Sequence, residues 1–199
     1  MTVQLQTVIV AGMSLQGDTP FPPESDPAAR TASLIGTHVM LRPIDPHDYI
    51  GFYWMEQTPG GKMGDDIPAG STPPEAYEGL VWDGTEAQFA VTTNHDGSLI
   101  GRIAAQDLDL RNGHARLHLR FRDDAWAAGW VDEAATMFVS QLFETFPLFK
   151  VYWEHLPESS VPAPLARFAE EGRLRGHVWR HDGRSDLILR SVTRDAWLS

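Results

Sequence analysis

Apolar and polar residues alternate strictly from His114 to Arg122. Ala115, Leu117, Leu119 and Phe121 fall on one side, and His114, Arg116, His118, Arg120 and Arg122 on the other. A period of two is the pattern of a strand with one buried face. Thr37–Pro43 reads as an earlier strand, and Gln88–Thr93 and Ser98–Gln106 flank the turn Asn94-His95-Asp96-Gly97 as a hairpin. Phe149–Leu156 predicts a further strand, and Gly176–Arg180 with Asp186–Val192 a closing hairpin across His181–Arg184. The period changes over Val131–Phe146, where Ala134, Ala135, Phe138, Val139, Leu142 and Phe143 recur at helical spacing. Asp45-Pro46 places a cap before a proline, opening a helix that ends at Trp54 or Gln57. A Gly-rich loop over 58–70 leads to a second helix ending near Trp82, and Pro162–Glu171 predicts a third short one. The order β-α-α-β-β-β-α-β-α-β-β implies one α/β (α+β) domain. Its sheet would be mixed, mostly antiparallel, with about 6–7 strands and helices on both faces.

Residues 13–33 hold Pro20, Pro22, Pro23 and Pro27 among Gly, Asp and Ser, with no apolar period. Residues 1–35 therefore read as an arm or linker, within which 3–11 are either a short docking strand or a frayed tail. The domain proper runs over 36–199. With 199 residues there is material for one well-buried domain, and 42% apolar with 22% charged residues is ordinary for a globular chain. The net charge of −11 argues against general nucleic-acid binding, which needs a basic face, and favours approach of a cationic amine. No apolar run reaches the roughly 20 residues of a membrane span, and no signal peptide is evident. The chain has no Cys, which removes disulfides, thiolate metal sites and a cysteine nucleophile, and fits a cytoplasmic location.

Between the alternating strand and the long helix lies Trp126-Ala127-Ala128-Gly129-Trp130. Backbone N–H groups at such a helix start lack intrahelical partners and sit at the positive end of the helix dipole, so they can hold a pyrophosphate without a basic side chain. A plain strand-to-helix turn with core tryptophans is the alternative. On the polar side of the strand, His118 is a candidate proton acceptor near neutral pH, and Arg116 or Arg120 a candidate clamp for a substrate carboxylate. A solvated sheet face is the blander reading of the same strip. Glu154, with Tyr152 at matching parity, is a second candidate base. His114 and His118 are four apart on a strand, about 13 Å, and so give no metal site.

These segments together resemble the GCN5-related N-acetyltransferase (GNAT) superfamily, in the branch with ribosomal-protein and antibiotic acetyltransferases. The resemblance rests on Leu41-Arg42-Pro43-Ile44-Asp45, Leu99-Ile100-Gly101, Trp126–Ala134, Glu171–Arg175, Asp186–Arg190 and Arg194–Trp197, in order over about 160 residues. It implies acetyl-CoA as co-substrate and no metal. Leu119, Phe121, Trp126, Ala127, Ala128, Gly129 and Trp130 would form the cofactor site. It implies direct attack of a bound amine on the thioester, with a small amine or amino-acid-like acceptor and a protein N-terminus as the runner-up. Ser159 stands where the family usually has an Asn, and Tyr53 and Trp54 lie in the region that covers the acceptor, beside Met63 and Trp82. Arg116 occupies the place of a family carboxylate, Ala127 that of a glycine, Val131 that of a small residue and Ala166 that of a Tyr. A diverged enzyme with other chemistry and a non-catalytic binding protein are the alternatives. Strand pairing through the arm or the C-terminal hairpin would give a homodimer.

Overall fold

A computed structural model describes residues 33–57, 85–159, 161–180 and 183–199. The N-terminal arm to residue 32, the Gly-rich loop, the second helix, and with them Met63 and Trp82, lie outside the described residues.

Eight strands form one sheet: β1 (Leu34–Ile35), β2 (Val39–Arg42), β3 (Thr85–Thr93), β4 (Leu99–Asp109), β5 (His114–Phe121), β6 (Lys150–His155), β7 (Ala169–Arg180) and β8 (Gly183–Thr193). Their order across the sheet is β1-β2-β3-β4-β5-β6-β8-β7, and every pair is antiparallel except β5–β6. The single parallel junction follows from the crossover helix between β5 and β6. The sheet thus has eight strands, against the 6–7 expected from the pattern. The extra one is the two-residue β1, too short to carry a periodic signal.

The helices are α1 (Asp48–Gln57), α2 (Asp123–Ala127), α3 (Trp130–Thr145) and α4 (Arg194–Leu198). The apolar stripe of α3 is buried along Ala134, Ala135, Phe138, Val139, Leu142 and Phe143. It covers the sheet face carrying Val39, Leu41, Val91, Ile103, Leu117, Leu119, Val151 and Trp153. α1 seats Phe52 and Tyr53 on the opposite face against Ala90, with Leu99 alongside. Helices therefore lie on both faces, and this leaves the polar side of β5 between α1 and the β6 edge.

The segment Pro162–Glu171 departs from its expected helix. Only Ala163–Arg167 makes a turn of 3-10 helix, and the chain enters β7 at Ala169. Pro162 and Pro164 restrict the backbone at the start, and Gly172 follows too soon for a full apolar stripe. The 3-10 turn instead buries Leu165 and Phe168 in the main core. Ala166 sits in that turn.

Candidate active site

β5 and β6 pair in register at His114↔Lys150, Ala115↔Val151, Arg116↔Tyr152 and Leu117↔Trp153, and then part. From His118 to Phe121, β5 pairs with β4, through Ala104↔His118, Ile103↔Leu119, Arg102↔Arg120 and Gly101↔Phe121, and no longer with β6. β6 continues with Glu154↔Leu189 and His155↔Ile188, bonded to β8. Two adjacent parallel strands thus part, and beyond Leu117 the β5 edge is not paired by β6. Leu119 and Phe121 are buried in the main core.

At the open end, Arg122 leads into α2, and Gly129 joins α2 to α3 with φ 73° and ψ 10°. Positive φ is uncommon for residues with a Cβ, and a Cβ built on Gly129 meets nothing within 4 Å. The glycine is needed for its conformation, and the space above it is open. No side chain caps the start of the 16-residue α3. Trp126 and Ala127 belong to α2 rather than to an open loop, and Ala127 does not have positive φ, which explains why alanine is tolerated there. Val131 is buried in the core, so its bulk points away from the exposed Ala127, Ala128 and Gly129. Trp126 packs edge-on to Phe121 at 6.4 Å, with its indole Nε1 buried and without a partner among the described residues. Trp130 rests on the core and lines a hollow of about 480 Å³ with Thr37, His38, Arg122 and Asp124.

On the polar face, His118 is half-buried, its Nε2 enclosed without a described partner. Burial first, and then the charges of Arg120, Arg102 and Arg116, hold its pKa well below the ordinary 6.5, so the ring is neutral at physiological pH. Arg102, buried, donates to Gln88 at 3.0 Å, and Arg120 is buried alongside. Arg116 is committed elsewhere: its Nε donates to Asp107 at 2.7 Å, and its NH1 reaches Glu154 at 3.5 Å. Asp107 has φ 51° at a bulge where the β4–β5 register slips between Gln106 and Asp109. Tyr152 has a raised pKa, chiefly from burial and then from the charge of Asp107. The sequence pattern missed Asp107, because a bulge leaves no periodic trace in a long strand. It also missed buried His155, which stacks on Trp153 at 4.5 Å beside the parting of the strands and whose Nδ1 lies 2.8 Å from the Leu156 carbonyl.

The remaining candidates are spread around this centre. Ser159 lies in the turn after β6, its N–H donating to Leu156 at 3.0 Å. Tyr53 is buried in the α1 cluster. Trp54 is 61% exposed and lines a hollow of about 500 Å³ with Met55, Leu99, Phe121 and Asp123. The geometry therefore brings His118 and Glu154 to the point where the strands part, sets Trp126–Trp130 at the open end, and places Tyr53 inside the fold.

The span of the chain that carries the parted parallel strands and the glycine-initiated helix is matched by a family model. The acetyltransferase (GNAT) domain model fits residues 38–160, more than half of the chain. The chain belongs to the GNAT acetyltransferase family. The family places it among the N-acetyltransferases. Solved structures with the same fold include spermidine N-acetyltransferase from Vibrio cholerae in complex with CoA and spermine. That protein is 17% identical, with TM-score 0.68 over 81% of this chain and 98% of the other. Ribosomal-protein-S5-alanine acetyltransferase from Vibrio fischeri is 16% identical, with TM-score 0.68 over 83% and 98%. The ribosomal L7/L12 α-N-protein acetyltransferase in complex with coenzyme A is 12% identical, with TM-score 0.69 over 81% and 97%. No curated protein has significant sequence similarity. Among the described residues no helix is long and apolar enough to cross a membrane, and no group of three His, Asp or Glu side chains could hold a metal ion.

The neutral His118 has a consequence for acid stability. Its folded pKa is lowered, as is that of His155, where burial is again the largest cause. Unfolded chains bind a proton near pH 6.5 that the folded chain refuses, so stability is full above that pH and declines below it. Melting temperature should fall steadily as the pH drops from 7 to 5, and His118→Gln should flatten part of that decline. An unchanged slope in the variant would show that His118 does not carry it.

Proposed function

We propose that the protein transfers an acetyl group from acetyl-CoA to the amine of a small, amino-acid-like acceptor, by direct attack and without a covalent enzyme intermediate. One observation carries the reading: β5 and β6 part at Leu117↔Trp153 just where an uncapped helix start at Gly129 closes the open end. The residues fit the co-substrate. First-turn N–H groups of α3 would take the pyrophosphate, and open space above Gly129 admits it. The stretch of β5 beyond Leu117↔Trp153, which β6 does not pair, is where an extended arm bearing peptide bonds would lie. Acetyl-CoA supplies an acyl group activated by a thiol leaving group.

The acceptor must present a neutral amine, so the ammonium proton has to leave it. Glu154, half-exposed beside the strand opening, is the residue best able to take that proton. His118, held neutral, accepts a hydrogen bond from the amine and orients its lone pair. Arg116, held between Asp107 and Glu154, fixes the place of the Glu154 carboxylate. Trp54 offers a flat apolar surface to the acceptor at the α1 side, and Ser159 a hydroxyl after β6.

Calorimetric titration of the protein with acetyl-CoA, followed by a screen of amines and amino acids, tests this. Micromolar binding and turnover with at least one small acceptor are expected. Glu154→Gln should lower kcat by about a hundredfold and shift the pH dependence of kcat, with little change in the CoA Kd. No binding at millimolar acetyl-CoA would remove the reading and leave a diverged enzyme with other chemistry or a non-catalytic binding protein.

A further inference from the structure

The first turn of α3 is unusual for an anion site, because it carries two carboxylates, Asp132 and Glu133, and no basic residue. Asp123 and Asp124 of α2 stand nearby, and Arg122 is paired with Asp124. Carboxylates in a first turn favour the helix dipole but oppose a second anion at the same place. Here both are directed away, to opposite flanks. Glu133 accepts the backbone N–H of Thr37 and, at 3.0 Å, that of His38, with the His38 Nδ1 at 3.2 Å. Asp132 accepts the backbone N–H of Ala163 at 2.9 Å, at the entry of the 3-10 turn after β6. The approach on the Glu133 side is close: a Cβ on Gly36 would lie 2.5 Å from Glu133 Oε1 and 2.7 Å from Met137 Sδ.

We propose that Asp132 and Glu133 are positioning residues for the anion site. They tether the start of α3 to the β1–β2 turn on one side and to the 3-10 turn on the other, so that its free N–H groups stay aimed at the pyrophosphate while their own charges are spent on backbone N–H groups. This rests on the reading of that helix start as the CoA site. It assigns a purpose to the 3-10 turn, which begins against Asp132 and does not continue as a long helix.

The two tethers differ in a way that tests them. Asp132 uses one oxygen toward one donor, so Asp132→Asn can keep that bond and lose the charge. Glu133 uses both oxygens, so Glu133→Gln must turn an amide N–H toward one of its donors. The Kd for CoA by calorimetry, KM against kcat, and melting temperature are to be measured for Asp132→Asn, Asp132→Ala, Glu133→Gln and Glu133→Ala. Asp132→Ala and both Glu133 variants should weaken CoA roughly tenfold and raise its KM with kcat nearly kept. Asp132→Asn should bind CoA as well as the parent or better. The proposal is overturned if Asp132→Ala and Glu133→Ala keep the parent Kd, whatever their melting temperatures, or if Asp132→Asn is as weak as Asp132→Ala. A parent protein that binds no CoA would instead overturn the assignment of the site itself.

Discussion

Gly129→Asp should abolish measurable binding of acetyl-CoA, whereas Gly129→Asn should weaken it only several-fold. Both side chains tolerate left-handed backbone better than other residues with a Cβ, so the φ of 73° costs each about the same, of order 1 kcal/mol. Both extend into the same space, in which a Cβ meets nothing within 4 Å. They differ in a single negative charge placed where a pyrophosphate would sit. At about 4 Å and an effective dielectric near 20, that charge opposes a phosphate by about 4 kcal/mol, or two to three orders of magnitude in Kd. Melting temperatures of the two variants should agree within a few degrees. The measurement is a calorimetric titration of each with acetyl-CoA at two salt concentrations, since the Asp penalty should shrink as ionic strength rises. Equal affinities for the two variants would mean that no anion approaches Gly129, and the helix start would then be only a turn.

The same glycine shows how far the site can be read from residues alone. Strand β5, helix α3 and the glycine between them are visible as a change of period from two to 3.6, because one face of each is buried and burial imposes the period. The polar strip of β5 is equally visible, since Arg116, His118 and Arg120 share a parity. What the strip does was not legible, because that depends on groups brought in from far along the chain. Asp107, which holds Arg116, lies nine residues away across a bulge, and Glu154 lies 38 residues away on a parallel neighbour. The helix expected over Pro162–Glu171 failed for a related reason. Its apolar residues Leu165 and Phe168 are buried as a helical pattern would require, but a single 3-10 turn suffices to bury both. The first half of the strand that follows lies exposed at the sheet edge, so no alternation marks it, whereas its end at Gly176–Arg180 is legible as one arm of a hairpin. Tyr53 and Trp54, adjacent on α1, separate into a core residue and an exposed one because neighbours on a helix point about 100° apart.

The largest loss of stability is expected at Gly101, where the cause is space rather than conformation. Gly101 lies on β4 directly opposite Phe121, whose ring folds over the position that a side chain would need. A Cβ there would stand 2.5 Å from the Arg120 carbonyl oxygen and 2.7 Å from Cε1 of Phe121, besides touching Cδ1 of the same ring. The ring could rotate away, but the carbonyl belongs to the β4–β5 ladder and can move only if the strands separate. Gly101→Ala should therefore cost about 3 kcal/mol, at the upper end of ordinary overpacking. For a chain of this size that corresponds to a fall in melting temperature of roughly 6–12 °C. Gly172→Ala, where a Cβ meets nothing within 4 Å and φ is unremarkable, is the control and should be nearly neutral. The damage at Gly101 should also reach the site. Phe121 is the last residue of β5 and packs on Trp126 of α2, so a displaced ring shifts the turn that sets Gly129. Urea denaturation should then show a lower midpoint with an unchanged slope, and KM for acetyl-CoA should rise several-fold at temperatures where the variant is fully folded. A variant as stable as the parent would show that β4 and β5 have slack at this point. The close approach of Gly101 to Phe121 would then have no part in holding the open end of the parted strands.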